Sequence, residues 1–488
     1  MAGVPSTAVR ASRRVRIVGA TVVSMDERIG VQRNAVVEIE GDRIARVGPA
    51  AASSTRTAAD EATDETADVV DARGFIVFPG LVNAHMHTWQ TALRGMASNW
   101  TLPEYVRWMH AGLATHFTPE DIRIGTYAGA MNQLNAGTTT LVDWCHNNPT
   151  PEHTDAAIAA LEQSGIRAAF FHGSPKPDPR PGHAPFWEMR HPRGEVERLQ
   201  ADARFAEGSL LSLGMAILGP HYSTLEVAVA DFALARELGL IASMHQGGGA
   251  PRAADAWAVL DREGLLGPNI NIVHGNDLSD AQLDRFVELG MSFSVTPENE
   301  MVQGHGHPII GRLRDHGVAP SIGADLESGL SGEMLVAARV ALAHQRSLDN
   351  ATYRRAAGLQ GPVIPPTTTV QTREALRWVT VAGARMLGQS DRIGSITPGK
   401  QADLILIDAR QPNMQPIHDP VNAVLMQTSL ANIDSVMVAG RWRKRHGALV
   451  DAAGKAIDPQ TWLPALCESG RRLANSVGWK PSHDMETT

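Results

Sequence analysis

Residues 79–95 read PGLVNAHMHTWQTALRG, and this stretch decides how the rest of the chain is interpreted. An apolar run within it ends in two histidines, His85 and His87, at alternate positions. Side chains at alternate positions of a β-strand point to the same face, so both imidazoles are predicted to lie on one side of the strand end. Such a pair provides two nitrogen ligands for one metal ion. Alone, the pair is more often two ordinary polar residues, so its meaning depends on how the other strands end.

Seven more short apolar runs follow this one, and helical patterns separate most of them. The eight predicted strands are FIVFPGLVNAHMH (75–87), TTTLVDW (138–144), RAAFFHG (167–173), SLGMAILGPH (212–221), GLIASMH (239–245), NINIVHG (269–275), MSFSVTP (291–297) and APSIGAD (319–325). Eight strand–helix units in series predict a (β/α)₈ barrel. The alternative, a doubly wound open sheet, usually has a Gly-rich phosphate loop after its first strand, and none is visible here.

Composition excludes several classes of protein. The chain has 488 residues and a formal net charge of −8, which argues against a protein that coats nucleic acid or an anionic membrane. No run of 18 apolar residues exists, so no transmembrane span is expected. Two cysteines, Cys145 and Cys467, suit a reducing compartment. The faint twin-arginine pattern at residues 12–14 lacks a long enough apolar stretch, so a cytoplasmic location is predicted.

Potential metal ligands stand at the ends of most of the predicted strands. They are His85, His87, His172, His221, His245, His274 and Asp325. The C-terminal ends of all barrel strands meet at one mouth, where catalytic groups lie, so these side chains are predicted to come together. Three histidines and one aspartate form a ligand set suited to Zn²⁺ or Fe²⁺. No lysine ends the fourth strand to bridge a second ion, so one metal is expected.

Several of these segments resemble those of the amidohydrolase superfamily, in the branch of cytosine deaminase, guanine deaminase and triazine chlorohydrolase-like enzymes. The resemblance covers about residues 14 to 445 and is carried by PGLVNAHMHTWQTALRG (79–95), GTTTLVD (137–143), GPHYST (219–224), VHGNDLSD (273–280), IGAD (322–325) and GSITPGKQADLILID (394–408). It implies a TIM-like barrel plus a small β-sandwich built from both chain ends, which agrees with the strand-rich ends of the sequence. The expected divisions are 11–74 with 390–450 for the sandwich, 75–389 for the barrel, and 451–488 for a C-terminal helix and tail.

The resemblance also implies roles for single residues. One divalent ion, Zn²⁺ in first place and Fe²⁺ in second, would be held by the side chains of His85, His87, His245 and Asp325. Asp325 would also accept a proton from the attacking water, and His274 would stabilise negative charge as the reaction proceeds. Substrate would contact His221, Gln90 and the aromatic segment that begins at Trp89. The expected partners are a small-molecule substrate and further copies of the same chain, with no nucleic acid and no membrane.

One departure from the family pattern limits what the resemblance implies. Deaminases of this branch carry His-x-x-Glu on the fifth strand, and the glutamate passes a proton to a ring nitrogen. Here the segment is HQGG (245–248), so Gly248 stands in the place of the glutamate. Glu298 and Glu300, after the seventh strand, are candidates for a replacement shuttle or for binding a cationic substrate group, and are equally explained as solvated loop carboxylates.

The leading hypothesis is therefore a metal-dependent hydrolase that attacks a carbon–nitrogen bond, other than a peptide bond, of a cyclic or heteroaromatic compound. Deamination comes first, and hydrolysis of an amide, lactam, carbamate or halogen substituent comes close behind because the glutamate is missing. A lyase or isomerase on the same barrel is a further alternative. A binding protein without activity is disfavoured, because its metal ligands would not have been kept.

Overall fold

The structure is a computed structural model, and it describes residues 13–49, 67–358, 360 and 364–480. Residues 11 and 12 of the predicted sandwich, its segment 50–66 and the end of the predicted tail, 481–488, lie outside the described residues. The strands are β1 (Arg14–Val23), β2 (Val31–Glu40), β3 (Arg43–Pro49), β4 (Asp68–Asp71), β5 (Phe75–Pro79), β6 (Leu81–Met86), β7 (Thr138–Cys145), β8 (Arg167–Gly173), β9 (Leu211–Ala216), β10 (Ala242–Gln246), β11 (Ile270–His274), β12 (Ser292–Val295), β13 (Ser321–Ile322), β14 (Leu404–Asp408), β15 (Ile433–Val438), β16 (Arg441–Arg445) and β17 (Ala448–Leu449).

Helices follow most of the strands between β6 and β14. The α-helices are Leu102–Tyr105, Pro119–Asn135, Pro151–Ser164, Arg193–Gln200, Gly219–Tyr222, Leu225–Glu237, Ala256–Arg262, Asp280–Glu288, Pro297–Val302, Ile310–Asp315, Met334–Ala356, Thr372–Trp378, Val381–Met386, Pro420–Met426 and Leu463–Ser476. A 3₁₀ turn, Thr88–Leu93, follows β6 directly. Among the described helices, none combines the length and the apolar composition that crossing a membrane requires.

Helix starts follow from the local sequence. Thr118 caps Pro119–Asn135, because its hydroxyl accepts the N–H of Asp121 while the Asp121 carboxylate accepts the N–H of Thr118. Ser279 and Gln282 form the same reciprocal cap before Asp280–Glu288. These caps confirm that helices begin after polar residues that can satisfy the free N–H groups of the first turn.

Strands β6 to β13 form one parallel sheet in sequence order, and this sheet closes into a barrel. The closing contact joins Met86 at the end of β6 to Asp325 just beyond β13. Two hydrogen bonds accompany it, from His87 N to Asp325 O at 2.7 Å and from Asp325 N to His85 O at 2.9 Å. The (β/α)₈ prediction is confirmed, and closure itself places the two ends of the barrel sequence side by side.

Both chain ends build a second, mixed sheet. Nine strands take part in the order β17-β16-β15-β14-β5-β1-β2-β3, with β4 beside β1. Apolar side chains from both ends, among them Ile17, Val37, Leu404 and Trp442, share a core that is separate from that of the barrel. The predicted small β-structure from both chain ends is confirmed.

The observed strands differ in extent from the predicted ones, most visibly in the last, which is Ser321–Ile322 instead of 319–325, and two of the differences have a local explanation. The expected strand 75–87 is divided at Gly80, since β5 joins the end sheet and β6 the barrel. A Cβ at Gly80 would lie 2.0 Å from Thr139 Oγ1, so glycine permits a close approach there. The expected strand 212–221 stops at Ala216, and a short helix, Gly219–Tyr222, follows. Pro220 has no N–H to offer a strand ladder, which agrees with this ending.

A buried ion pair joins the two sheets. Arg167 at the start of β8 donates from Nε to Asp403 Oδ2 at 2.8 Å and from Nη2 to Asp403 Oδ1 at 3.2 Å. The same guanidinium donates to Gln401 Oε1 at 2.9 Å, and Asp403 accepts the N–H of Ala439 at 2.6 Å. These hydrogen bonds compensate the two buried charges for the loss of their contact with water.

Candidate metal centre

Three imidazoles and one carboxylate converge at the C-terminal mouth of the barrel. His85 lies in β6, His87 follows it, His245 lies in β10, and Asp325 follows β13. The ligand atoms of the three histidines all lie within 4.8 Å of one another. All four side chains are buried. The structure thus brings together the four residues that the sequence predicted as metal ligands.

The separations between these side chains suit a single ion. His85 Nε2 lies 3.2 Å from His245 Nε2, His87 Nε2 lies 3.4 Å from Asp325 Oδ1, and His85 Nε2 lies 3.6 Å from the same oxygen. Ligand atoms at about 2.1 Å from a tetrahedral Zn²⁺ ion are roughly 3.4 Å apart. The donor set and its spacing therefore fit one zinc ion.

The protonation of the histidines favours ligation. Burial lowers the pKa of His87 to about 3 and holds the pKa of His245 well below its ordinary value, so both imidazoles are neutral near pH 7. The Nδ1 of His87 lies 2.7 Å from the carbonyl oxygen of Trp144, which can only accept, so Nδ1 carries the proton. The Nε2 lone pair of His87 is left facing the other ligands.

Asp325 is held as a carboxylate. Burial alone would raise its pKa, but the hydrogen bond with His85 and the neighbouring imidazoles outweigh burial and hold the pKa well below its usual range. Two neutral donors also serve its Oδ2, the hydroxyl of Thr296 at 3.1 Å and the amide of Asn299 at 2.7 Å. The side chain is thus fixed in position and ready to accept a proton or a cation.

Asp325 and the neighbouring His274 adopt strained backbone conformations. Asp325 has φ 65° and His274 has φ 68°, in the left-handed region that residues with a Cβ rarely occupy. Each such residue costs of order 1–3 kcal/mol and persists where the surrounding structure imposes it. Both follow or end barrel strands, so the strain turns their side chains toward the mouth.

His274 is oriented by a neighbouring carboxylate. Its Nδ1 lies 3.2 Å from Glu300 Oε1 and 3.1 Å from the hydroxyl of Thr296. Burial alone would lower the pKa of His274, but the hydrogen bond to Glu300 and the charge of Asp325 raise it above the ordinary value. Glu300 is itself held by the N–H of Thr296 at 2.7 Å and the amide of Asn276 at 3.2 Å.

A small cavity of about 60 Å³ adjoins the four residues. Its volume in this structure holds only a few water molecules. Of the described residues that line it, Asp325 is the one carboxylate and Lys176 the one lysine. The lining residues are His87, Leu102, Tyr105, Val106, His110, His146, Lys176, Phe186, Tyr222, His245, His274, Asn299, Gln303, His305, Asp325 and Leu326.

Two residues predicted to contact substrate lie behind this lining. Trp89 is buried, and its Nε1 donates to His146 Nδ1 at 3.3 Å. Gln90 is also buried and donates from Nε2 to the hydroxyl of Tyr105 at 2.5 Å. Each therefore supports a residue that lines the cavity, and its direct contact with substrate stays a prediction.

Three other predicted residues lie near the cavity without lining it in the described structure. His221 is buried with its Nδ1 3.5 Å from Asp277 Oδ2, and the next residue, Tyr222, lines the cavity instead. Glu300 lies behind His274. Glu298 is partly buried, and burial raises the pKa of its carboxyl group. The roles of these three side chains in substrate binding stay predictions.

The sequence did not single out several residues that line the cavity. Lys176, Tyr222, Asn299, Gln303 and His305 are absent from the predicted set. Three of them, Asn299, Gln303 and His305, follow β12 within ten positions, so their place after a barrel strand was an available signal. Lys176 also follows a strand end, but an irregular loop offers no periodicity from which to predict its direction.

The glycine at position 248 has a local structural reason. Gly248 has φ 96°, and a Cβ built on it would lie 2.3 Å from Leu102 Cδ2. The helix Leu102–Tyr105 thus fills the space that a side chain at 248 would occupy. A side chain at this position therefore requires Leu102 to shift from the observed arrangement.

Comparison with known proteins finds relatives that match most of this chain. The model of the family described as "Amidohydrolase family" matches residues 76–443. The chain is 27% identical over 445 residues to a 5-methylthioadenosine/S-adenosylhomocysteine deaminase of Symbiobacterium thermophilum, covering 88% of this chain and 93% of that one. It is 29% identical over 432 residues to an 8-oxoguanine deaminase of Pseudomonas aeruginosa, covering 83% and 88%.

Solved structures share the same fold. An adenosine deaminase from Xanthomonas campestris with bound zinc superposes with a TM-score of 0.76 at 23% identity, covering 94% of this chain and 98% of that one. An atrazine chlorohydrolase from Arthrobacter aurescens complexed with zinc gives a TM-score of 0.77 at 20% identity, covering 93% and 100%. At these identities the likeness establishes the fold.

Proposed function

Because this chain belongs to the amidohydrolase family, we propose that it is a zinc-dependent hydrolase that deaminates a cyclic or heteroaromatic nitrogen compound. Membership of the family confirms the resemblance seen in the sequence, and with it the prediction of a hydrolase acting on carbon–nitrogen bonds other than peptide bonds. The relatives named as deaminases act on purine-type substrates, which supports a heteroaromatic substrate here.

The single observation that carries the proposal is the meeting of His85, His87, His245 and Asp325, with three of their side-chain pairs at separations of 3.2–3.6 Å. When bound there, a divalent ion supplies Lewis acidity that lowers the pKa of a water molecule toward neutrality. Zinc is proposed because three neutral imidazoles and one carboxylate form a borderline-soft set. Iron(II) suits the same ligands and is the second choice.

Two residues of the chain are placed to move protons. Asp325, kept ionised and aimed by Thr296 and Asn299, accepts a proton from the attacking water and returns it to the leaving amine. His274, whose Nε2 lies 3.9 Å from Asp325 Oδ2, donates a hydrogen bond to the negative charge that develops on the substrate. Glu300 keeps the His274 imidazole in the orientation that this requires.

A second reaction is favoured by the structure around Gly248. With Leu102 in the space of the missing glutamate and Asp325 the one carboxylate among the described lining residues, no acid of the usual kind serves a ring nitrogen. Substituents that leave without prior protonation of the ring, such as a halide, suit this site. Hydrolysis of an amide, lactam, carbamate or halogen substituent is therefore the second candidate.

Zinc analysis and product analysis test the proposal together. Purified enzyme is loaded with zinc, its metal content is measured, and it is incubated with heterocyclic amines, lactams, carbamates and haloheterocycles. We expect one zinc per chain and ammonia released from at least one amine. Hydrolysis without ammonia from any amine supports the second candidate, and no hydrolysis at full zinc occupancy contradicts both.

The cellular location, the size of the substrate and the oligomeric state are proposed on simpler grounds. Cys145 and Cys467 are both free, one buried and one exposed, which supports a reducing compartment and hence the cytoplasm. A small molecule is proposed as the substrate, and self-association is proposed from family membership alone. Light scattering of the purified protein measures its oligomeric state directly.

A further inference from the structure

Lys176 is a cation inside the cavity whose role the reaction described above leaves open. It follows β8 and lines the same cavity as His245, His274 and Asp325. Its side chain is only partly exposed. A positive charge at this place attracts negatively charged groups of any molecule that binds in the cavity.

The backbone of Lys176 is restricted by its neighbours. The local sequence is SPKP (174–177), so the lysine has a proline on each side. Each proline ring fixes its own φ, and Pro177 restricts the preceding residue to an extended conformation. The backbone conformation at Lys176 is thus restricted by the two prolines, although the loop contains no regular secondary structure.

Two aromatic rings hold the ammonium group. The Nζ of Lys176 lies 4.6 Å from the ring centre of Tyr222 and 5.7 Å from that of Trp144. Trp144 in turn packs against the imidazole of His245 with ring centres 4.2 Å apart. The ammonium group is therefore one aromatic ring away from the proposed metal ligands.

The charge of Asp325 acts on Lys176 without the two side chains forming an ion pair. Within the described part of the chain, no carboxylate lies within ion-pair distance of Lys176, and Asp325 is engaged with Thr296 and Asn299. Aromatic faces compensate a partly desolvated ammonium group only in part. An anion bound in the cavity would complete the pairing.

We propose that Lys176 binds an anionic oxygen substituent of the substrate, such as a ring carboxylate, while the reacting carbon lies at the His85, His87, His245 and Asp325 group. The inference rests on the proposed function and narrows it, since the substrate becomes a heterocycle with an acidic oxygen group. Such charge-assisted hydrogen bonds are stronger than hydrogen bonds between neutral groups. Lys176 is thus a specificity-determining residue rather than a catalytic one.

The test compares two ligands that differ by one charge and carry no leaving group. Binding of pyrimidine-5-carboxylate and pyrimidine-5-carboxamide to zinc-loaded enzyme is measured by calorimetry for wild type, Lys176→Met, Lys176→Arg and Lys455→Met. Lys455 is exposed and serves as the matched control. Zinc content and melting temperature are recorded for each variant, so that a folding defect is recognised.

We expect wild type to bind the carboxylate at least tenfold more tightly than the carboxamide. Lys176→Met should reduce this preference to within about twofold, Lys176→Arg should keep most of it, and Lys455→Met should leave it unchanged. No preference in wild type, or a preference that survives Lys176→Met and disappears when zinc is removed, overturns the proposal. Because neither ligand is turned over, failure of the deaminase proposal shows separately, in the ammonia assay.

Discussion

At the scale of single residues, position 248 shows how a side chain from a neighbouring helix limits the chemistry of the site. Gly248→Ala adds a Cβ 2.3 Å from Leu102 Cδ2 at a backbone φ of 96°. Gly249→Ala is the matched control, because its φ is 125° and nothing lies within 4 Å of the added atom. We expect the first variant to lose about 1–3 kcal/mol more of unfolding free energy than the second in urea titrations. Equal losses would mean that the backbone alone, and not Leu102, selects glycine.

Glu300 is expected to act on turnover through His274. Glu300→Gln removes the negative charge 3.2 Å from the imidazole Nδ1 while keeping a side chain of similar size. Partners that orient active-site histidines contribute about 10- to 100-fold to activity, so kcat should fall by that factor with zinc content unchanged. The measurement uses the panel compound that wild type hydrolyses fastest, with the exposed Glu288→Gln as control. Loss of zinc together with activity would place Glu300 in metal retention instead.

Asp231 makes the free energy of unfolding depend on pH, independently of the metal centre. Burial raises the pKa of its carboxyl group to about 7, whereas an unfolded aspartate titrates near 3.9. The folded state therefore keeps a proton that the unfolded chain has lost, and stability falls as the pH rises from about 4 through 7. Asp231→Asn stays neutral and keeps an acceptor for the N–H of His191, now 2.8 Å from the carboxylate. Its advantage in unfolding free energy should grow between pH 5 and pH 8, by up to roughly 3 kcal/mol. A constant difference across this range would show that the carboxyl group ionises freely in the folded protein.

At the scale of elements, the ion pair of Arg167 and Asp403 fixes the barrel strand β8 against the end sheet. Both side chains are 3% exposed, so removal of one partner leaves a buried charge unpaired. Arg167→Met and Asp403→Leu are each expected to cost about 3–5 kcal/mol of unfolding free energy. The double variant should be less destabilised than the sum of the two, because no charge remains buried. A strictly additive double variant in chemical denaturation would show that the pair is not coupled.

Much of the element order could be predicted from the sequence, because buried parallel strands are short apolar runs and their polar last residues stand out against them. That pattern and barrel geometry predicted that the polar strand ends would meet, and the family resemblance singled out His85, His87, His245 and Asp325 among them. The positions at which strands end were harder to predict. Close packing decides the end at Gly80, and the missing N–H of Pro220 agrees with the end of the strand before it. Lys176 could not be placed, because an irregular loop is directed by tertiary contacts with rings such as Tyr222 and not by any local periodicity.

At the scale of the whole molecule, the metal centre depends on closure of the barrel and on what supports the closing strands. The first and last barrel strands meet where His85 and His87 flank the bridge between Met86 and Asp325. The C-terminal helix Leu463–Ser476 supports this region from outside. Its Ser469 donates to Asp121 Oδ1 at 2.7 Å on the helix Pro119–Asn135.

The C-terminal helix passes close to the 3₁₀ turn that follows His87 at Gly470. A Cβ on Gly470 would lie 2.3 Å from the carbonyl oxygen of Ala92, a backbone atom that cannot swing aside. Gly470→Ala should therefore destabilise the protein by about 1–3 kcal/mol, even though alanine favours helices over glycine by about 1 kcal/mol. Gly194→Ala, in the helix Arg193–Gln200 with nothing within 4 Å, is the control and should be neutral or slightly stabilising. Because the displaced turn is continuous with His87, zinc affinity measured by competition with a chelator should also fall in Gly470→Ala alone. If both variants keep wild-type stability and zinc affinity, the C-terminal helix does not support the metal centre.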